Sequence, residues 1–268
     1  MGPRPPSSRG RVQFSPARPD RDNGRVKPFF LISTRASDQA VVGERAAVAR
    51  GLGVPDSGVV QHRLERDPLP ADFSLDDWSG VLVGGSDFCV STVDKSPAQQ
   101  AAEAALTELL AEAIARDLPF LGLCYGVGLI TAHGGGVVDG TYGEAVGAIP
   151  VRLTEAGRAD PLLAGLPDPF HAFVGHKEAA RQPPPGAVVL ATGDDCPVQM
   201  FRLGRNVYAT QFHPELDADR LIERMHIYAH DGYFEPSDLD RLAAQAKASP
   251  VDGSQEIVLR RFAELYAR

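Results

Sequence analysis

Residues 122–126, Gly-Leu-Cys-Tyr-Gly, set a thiol between two glycines where the apolar run PFLGL gives way to a helix-like segment. A sharp strand-to-helix turn needs small neighbours if its central side chain is to stand clear of the sheet, and this layout is that of a nucleophile elbow. Cys124 there also sits at the positive end of the following helix, which is expected to stabilise its thiolate and lower its pKa. A second island, Gln211-Phe212-His213-Pro214-Glu215, follows another strand-like run. Pro214 biases His213 toward extended geometry, in which residues two apart point to one side, so His213 and Glu215 can act on neighbouring groups. Nucleophile, base and orienting carboxylate make a generalised triad. A third stretch, VLVGGSD at 81–87, ends a strand in a glycine turn. Backbone N–H groups at such a turn are natural donors to a developing oxyanion, and Gly85 and Tyr125 are the two candidates. The chemistry these three islands imply together is acyl transfer.

From Pro28 onward, strand and helix patterns alternate, which predicts a mostly parallel sheet covered on both faces. FFLIST, GVVQHRLE, GVLVGG and PFLGL read as four strands, with helices over DQAVVGERAAVARGLG and SPAQQAAEAALTELLAEAIARD between them. Residues from about 135 to 212 carry short, turn-punctuated strands, among them AVGAIPVRLT, GAVVLAT and NVYATQF, which predict an antiparallel extension or a second small sheet. Three helical segments close the chain, DADRLIERMHIYAHD, SDLDRLAAQAKAS and GSQEIVLRRFAELYAR. The last carries Ile257, Leu259, Phe262, Leu265 and Tyr266, either a docking face for a partner or a side packed on its own domain. The fold class expected is an α/β three-layer sandwich, organised as a basic tail at 1–27, a catalytic domain at 28–232 and a helical extension at 233–268.

Composition limits the functions available. The 268 residues are 43% hydrophobic and 23% charged, as in a globular domain. A formal net charge of −8 and a pI near 5.4 argue against nucleic acid as a partner of the fold. The apolar runs are too short to span a bilayer, and the first twenty residues lack an apolar core of the signal-peptide kind, so the location expected is the cytoplasm. Pro6 stands where a myristoylation motif needs Ser or Thr after Gly2. Cys89 and Cys196 read as buried reduced thiols, and with no CxxC pair neither metal nor cofactor is expected. His226 and His230 lack the Glu of an HExxH zinc motif.

In this order and spacing, PFLGLCYG, QFHPE and LVGGS resemble the class I, cysteine-triad glutamine amidotransferases over about residues 28–230, in particular the amidotransferase part of GMP synthetases. The resemblance implies Cys124 as nucleophile, His213 as general base and acid, and Glu215 as the residue that orients His213. It implies substrate contacts at Gly84 and Ser86 beside the oxyanion donor, and at His176 and Lys177 in VGHKE. GGSD also resembles the pyrophosphate loop of ATP-pyrophosphatases, but Val83 and Phe88 replace its serines. Many family members carry Gln four residues after the nucleophile, where Gly128 stands here. That glycine is read as space for a substrate larger than glutamine, in preference to close helix packing. Three functions remain open on these residues: a glutaminase subunit feeding ammonia to a separate synthetase, a self-sufficient γ-glutamyl amine or peptide hydrolase, and a non-catalytic binding protein.

Overall fold

The computed structural model describes residues 26–268, so the basic tail expected at 1–27 lies, but for its last two residues, outside the described part. A nine-stranded sheet organises the chain. Strands β1 (Phe29–Thr34), β2 (Val59–Arg63), β3 (Val81–Ser86) and β4 (Phe120–Leu123) are parallel. Helices α1 (Asp38–Leu52), α2 (Pro97–Ala115) and α3 (Tyr125–His133) connect or follow them. Ser37 caps α1 by accepting a hydrogen bond from the Ala40 N–H, and Gly53 ends it at φ 70, a conformation that favours glycine.

The middle of the chain supplies β5 (Val137–Asp139), β6 (Glu144–Leu153), the short helix α4 (Glu155–Ala159), β7 (Phe170–His176), β8 (Ala179–Gln182), β9 (Val188–Thr192), β10 (Met200–Leu203) and β11 (Val207–Thr210). Both sequence alternatives occur. The order β2-β1-β3-β4-β11-β10-β9-β6-β7 continues the parallel half as an antiparallel one, while β5 and β8 pair separately. Strands β7 and β8 are additional to those the pattern suggested. Their residues, FHAFVGH and AARQ, mix apolar side chains with His171, His176, Arg181 and Gln182, so no clean apolar alternation marks them.

Side chains alternate cleanly on β1. Phe29 and Leu31 enter the core beneath α1, and Phe30 and Ile32 enter the core beneath α2 and α3. Helices α5 (Ala218–Ile227), α6 (Leu239–Lys247) and α7 (Ile257–Tyr266) end the chain. Leu221 and Met225 of α5 and Ala246 of α6 form a third apolar cluster with Phe173 of β7. Helix α7 belongs to the first core. Val258, Leu259 and Phe262 are fully buried, Phe262 lies 5.9 Å from the Phe29 ring, and Leu259 packs directly on Gly51 of α1. The apolar side of this helix is therefore spent on its own domain and is not a free docking face. No helix among the described residues is long and apolar enough to cross a membrane.

Truncating Phe262 removes an aromatic side chain from the centre of that contact. Phe262→Ala is expected to destabilise the fold by about 3–5 kcal/mol, measured by chemical denaturation, as for other buried Phe truncations. Deleting residues 250–268 is expected to lower the melting temperature further instead of leaving an intact domain.

Candidate active site

The residues with catalytic chemistry meet at the carboxyl ends of the parallel strands, where open α/β sheets bind ligands. Arg35 follows β1, Gly85 and Ser86 end β3, Cys124 follows β4, and Gln211 and His213 follow β11. The turn at Cys124 is as tight as its glycines suggest. A Cβ on Gly122 would lie 2.8 Å from the Cα of Gly126, so strand and helix approach backbone to backbone. Cys124 itself takes φ 54 and ψ −86, a strained conformation for a residue with a side chain. Its N–H is fixed by the Thr210 carbonyl at 2.7 Å.

Pro214 follows a histidine whose backbone N–H donates to the Phe173 carbonyl of β7 at 2.9 Å, which holds His213 at the edge of the sheet. Its Nδ1 lies 2.8 Å from Glu215 Oε1. Burial alone would raise the Glu215 pKa, but the His213 imidazole and the Arg224 guanidinium outweigh it and bring it to about 2. Arg224 Nη1 donates to the same oxygen at 3.3 Å. An ionised Glu215 can only accept, so Nδ1 carries the proton and the lone pair of Nε2 is free. Burial also lowers the His213 pKa from 6.5, leaving the ring neutral near pH 7.

Cys124 and His213 line one cavity of about 50 Å³ together with Arg35, Gly85, Arg224 and Tyr228. A second, of about 20 Å³, lies between Cys124, Tyr125, Gly128, Glu178 and Gln211. Tyr233 borders both. Gln211 Nε2 donates to Cys124 Sγ at 3.7 Å. The thiol does not have the low pKa expected from the helix end: burial pushes it up to about 12, and the Arg35 guanidinium only partly opposes that. At rest the site therefore pairs a neutral thiol with a neutral imidazole.

The structure gives several sequence-selected residues other tasks. A side chain on Gly84 would run into the carboxylate of Glu44, so Gly84 faces α1 and not a substrate. Buried Glu44 in turn accepts from Ser33 Oγ and Arg35 Nε, both at 2.8 Å. Ser86 borders both cavities, but its Oγ accepts from Thr34 Oγ1 at 2.7 Å and the Phe88 N–H at 3.0 Å, bonds that hold its loop. At Gly128 a Cβ would lie 3.0 Å from Val90 Cγ2 and 3.2 Å from Glu178 Oε1. These approaches favour the helix-packing reading on that side, while Gly128 also borders the smaller cavity at Cys124.

His176 is buried with both nitrogens engaged, Nδ1 with the Glu178 carbonyl at 3.0 Å and Nε2 with Glu144 Oε2 at 2.8 Å. It braces the loop that carries Glu178, whose two oxygens accept from the Val90 and Ser91 N–H groups at 2.6 and 2.8 Å. Glu144, His176 and Cys196 form a group with metal-ligand chemistry, their ligand atoms within 4.8 Å of one another. Gln199 Nε2 also donates to Glu144 Oε2, at 2.6 Å, so this group already works as a hydrogen-bonded brace. Lys177 borders the smaller cavity together with His176. Its Nζ donates to the Asp231 carbonyl at 2.7 Å and lies 4.4 Å from the Tyr233 ring centroid, fastening the segment after α5 over the site.

Arg35, Gln211, Arg224, Tyr228 and Tyr233 were not singled out from sequence. Gln211 had a signal, since it stands two residues before His213 in an extended run. Arg35 had one as well, directly after an apolar strand. The tyrosines had none, because only the return of the chain after α5 brings them to Cys124.

A family model described as glutamine amidotransferase class-I matches residues 94–227, half of the chain, including Cys124, His213 and Glu215. Among curated relatives, a GMP synthase [glutamine-hydrolyzing] of Bacillus mycoides (strain KBAB4) is 35% identical over 100 residues, 37% of this chain and 19% of that protein. One from Dehalococcoides mccartyi (strain CBDB1) is 37% identical over 103 residues, 37% of this chain and 18% of the relative. The match thus spans about a fifth of the length of these relatives. Among solved structures, a glutamine amidotransferase from Thermotoga maritima superposes with a TM-score of 0.70 at 20% identity, covering 90% of this chain and 98% of its own. A glutamine amido transferase from Methylobacillus flagellatus gives 0.69 at 23% identity, covering 91% and 97%. These two show the fold.

Two outcomes follow from the geometry. Gly128→Gln is expected to destabilise the protein by roughly 1–3 kcal/mol through overpacking against Val90 and to impair every substrate alike, read from melting temperature beside kcat/KM. Only a neutral His213 can accept the thiol proton, so amide hydrolysis should be present above the His213 pKa and lost as pH falls through it. Because that pKa is lowered from 6.5, the acid limb of the kcat/KM profile is expected below pH 6.5, and a limb at or above that value would contradict it.

Proposed function

The chain belongs to the class-I glutamine amidotransferase family, and we propose that it hydrolyses the side-chain amide of glutamine through a thioester at Cys124, releasing ammonia for a separate acceptor enzyme. The observation that carries this reading is the Nδ1 bond from His213 to Glu215, which leaves Nε2 as a base in the cavity that Cys124 lines. Sγ attacks the amide carbon as its proton passes to Nε2, and the ionised Glu215 stabilises the imidazolium formed. Backbone N–H groups of Gly85 and Tyr125 receive the oxyanion; Tyr125 opens α3, and amides of a first helical turn have no intrahelical partner. His213 returns its proton to the departing nitrogen. Water activated by the same imidazole then hydrolyses the thioester to glutamate and frees the thiol. The names of the relatives, GMP synthase [glutamine-hydrolyzing], join glutamine hydrolysis to a synthase, which supports a synthetase as the acceptor.

The test is release of glutamate and ammonia from glutamine by the purified protein. Cys124→Ser is expected to keep the fold and lower turnover by roughly 10³-fold or more, as when one member of a cooperative triad is removed. Cys89→Ser and Cys196→Ser should remain active. Near-normal hydrolysis by Cys124→Ser would remove the assignment.

A further inference from the structure

The two cavities at Cys124 differ in a way that ammonia release does not require. His213 must reach the departing nitrogen, so the leaving group occupies the cavity of about 50 Å³ on the His213 side. A water-sized molecule such as ammonia needs only roughly 10–15 Å³. The remaining space is walled by Val174, Leu221, Met225 and Phe234. Among the described residues, the arginine side chains that line it, Arg35 and Arg224, are both cationic, and no carboxylate borders it. Arg224 is committed to Glu215. Arg35 is held by Glu44 at its Nε, its Nη1 donates to the Tyr228 hydroxyl at 3.2 Å and lies 3.8 Å from Asp87 Oδ1, and Nη2 lies over Gly85 of the oxyanion strand. Apolar walls and a fixed guanidinium suit a group that carries a small apolar side chain and a carboxylate, and they repel a second ammonium.

We propose that this cavity is a leaving-residue subsite, and that the protein also cleaves γ-glutamyl dipeptides whose second residue is small and apolar, with Arg35 holding that residue's carboxylate. This rests on the thioester chemistry proposed above. Sγ bonds to the γ-carbonyl carbon, the C–N bond breaks, and His213 gives its proton to the amine of the departing amino acid. Water then cleaves the thioester, so that γ-glutamyl-alanine and water yield glutamate and alanine.

The test compares glutamine, γ-glutamyl-alanine and γ-glutamyl-isopropylamide, in which a methyl group replaces the alanine carboxylate, on the full chain. The kcat/KM for γ-glutamyl-alanine is expected to match or exceed that for glutamine and to exceed that for the isopropylamide by about tenfold or more, the scale of a lost charge-assisted hydrogen bond. Binding is read separately by calorimetry on Cys124→Ala, which cannot turn over. Adding Arg35→Gln with Glu44→Gln removes both charges together, so no buried carboxylate is left unpaired. It should weaken γ-glutamyl-alanine by about tenfold or more, with the melting temperature reporting a folded chain. Leu221→Trp, which fills the cavity from its wall, should lower the ratio of dipeptide to glutamine turnover by a similar factor, independently of Arg35. Glutamine turnover without dipeptide turnover, or equal kcat/KM for the dipeptide and the isopropylamide, overturns the subsite and leaves glutamine hydrolysis standing. No turnover of any substrate, with no binding to Cys124→Ala, overturns both.

Discussion

The close approach of Gly122 to Gly126 sets the geometry that the rest of the site serves. Because these two residues meet without a Cβ between them, β4 runs into α3 at a sharp angle and Cys124 absorbs the turn at φ 54. A strained residue of this kind persists only where its surroundings over-determine it. Here the bond from its N–H to the Thr210 carbonyl and the burial of α3 beneath the sheet do so. The strain holds the thiol out at the carboxyl end of the sheet, beside the segments that follow β3 and β11.

Charges around that thiol are paired locally. Glu44 is paired with Arg35, and Glu215 with His213 and Arg224, all buried or nearly so. Such pairs contribute little to stability, since desolvation offsets most of their attraction, but they impose orientation. Glu215 fixes the tautomer of His213, and Glu44 fixes the direction of the Arg35 guanidinium. The thiol receives no such partner and stays protonated at rest, with its pKa near 12. Activation therefore belongs to the moment of attack, when the proton can move to a neutral imidazole.

The antiparallel half of the sheet and the C-terminal helices complete the site from outside the parallel core. Strand β7 pins the His213 backbone, and the loop after it carries Glu178 to the Val90 N–H and Lys177 to the Asp231 carbonyl. Helix α5 supplies Arg224 and one wall of the larger cavity, and the segment after it lays Tyr233 across the site. Helix α7 touches none of this chemistry. It fills the face of the sheet opposite α2 and α3, and its burial makes the C-terminal segment part of the same core as α1.

Local sequence carried the strand and helix alternation, the elbow at Cys124 and the His213-Glu215 pair, because each depends on spacing within a few residues: period two on β1, two glycines around one turn, one proline fixing an extended run. Gly128 shows where such reading stops. Its lack of a side chain is visible in sequence, but whether the space belongs to a ligand or to a neighbour depends on Val90 and Glu178, which lie 38 and 50 residues away along the chain. Gly84 shows the same limit, since a motif names a residue and not the direction its side chain takes. The electrostatic state of the thiol, the two cavities that meet at Cys124 and the arginine over Gly85 were decided only by the tertiary fold, because burial and charge proximity arise from segments that sequence separates and packing joins.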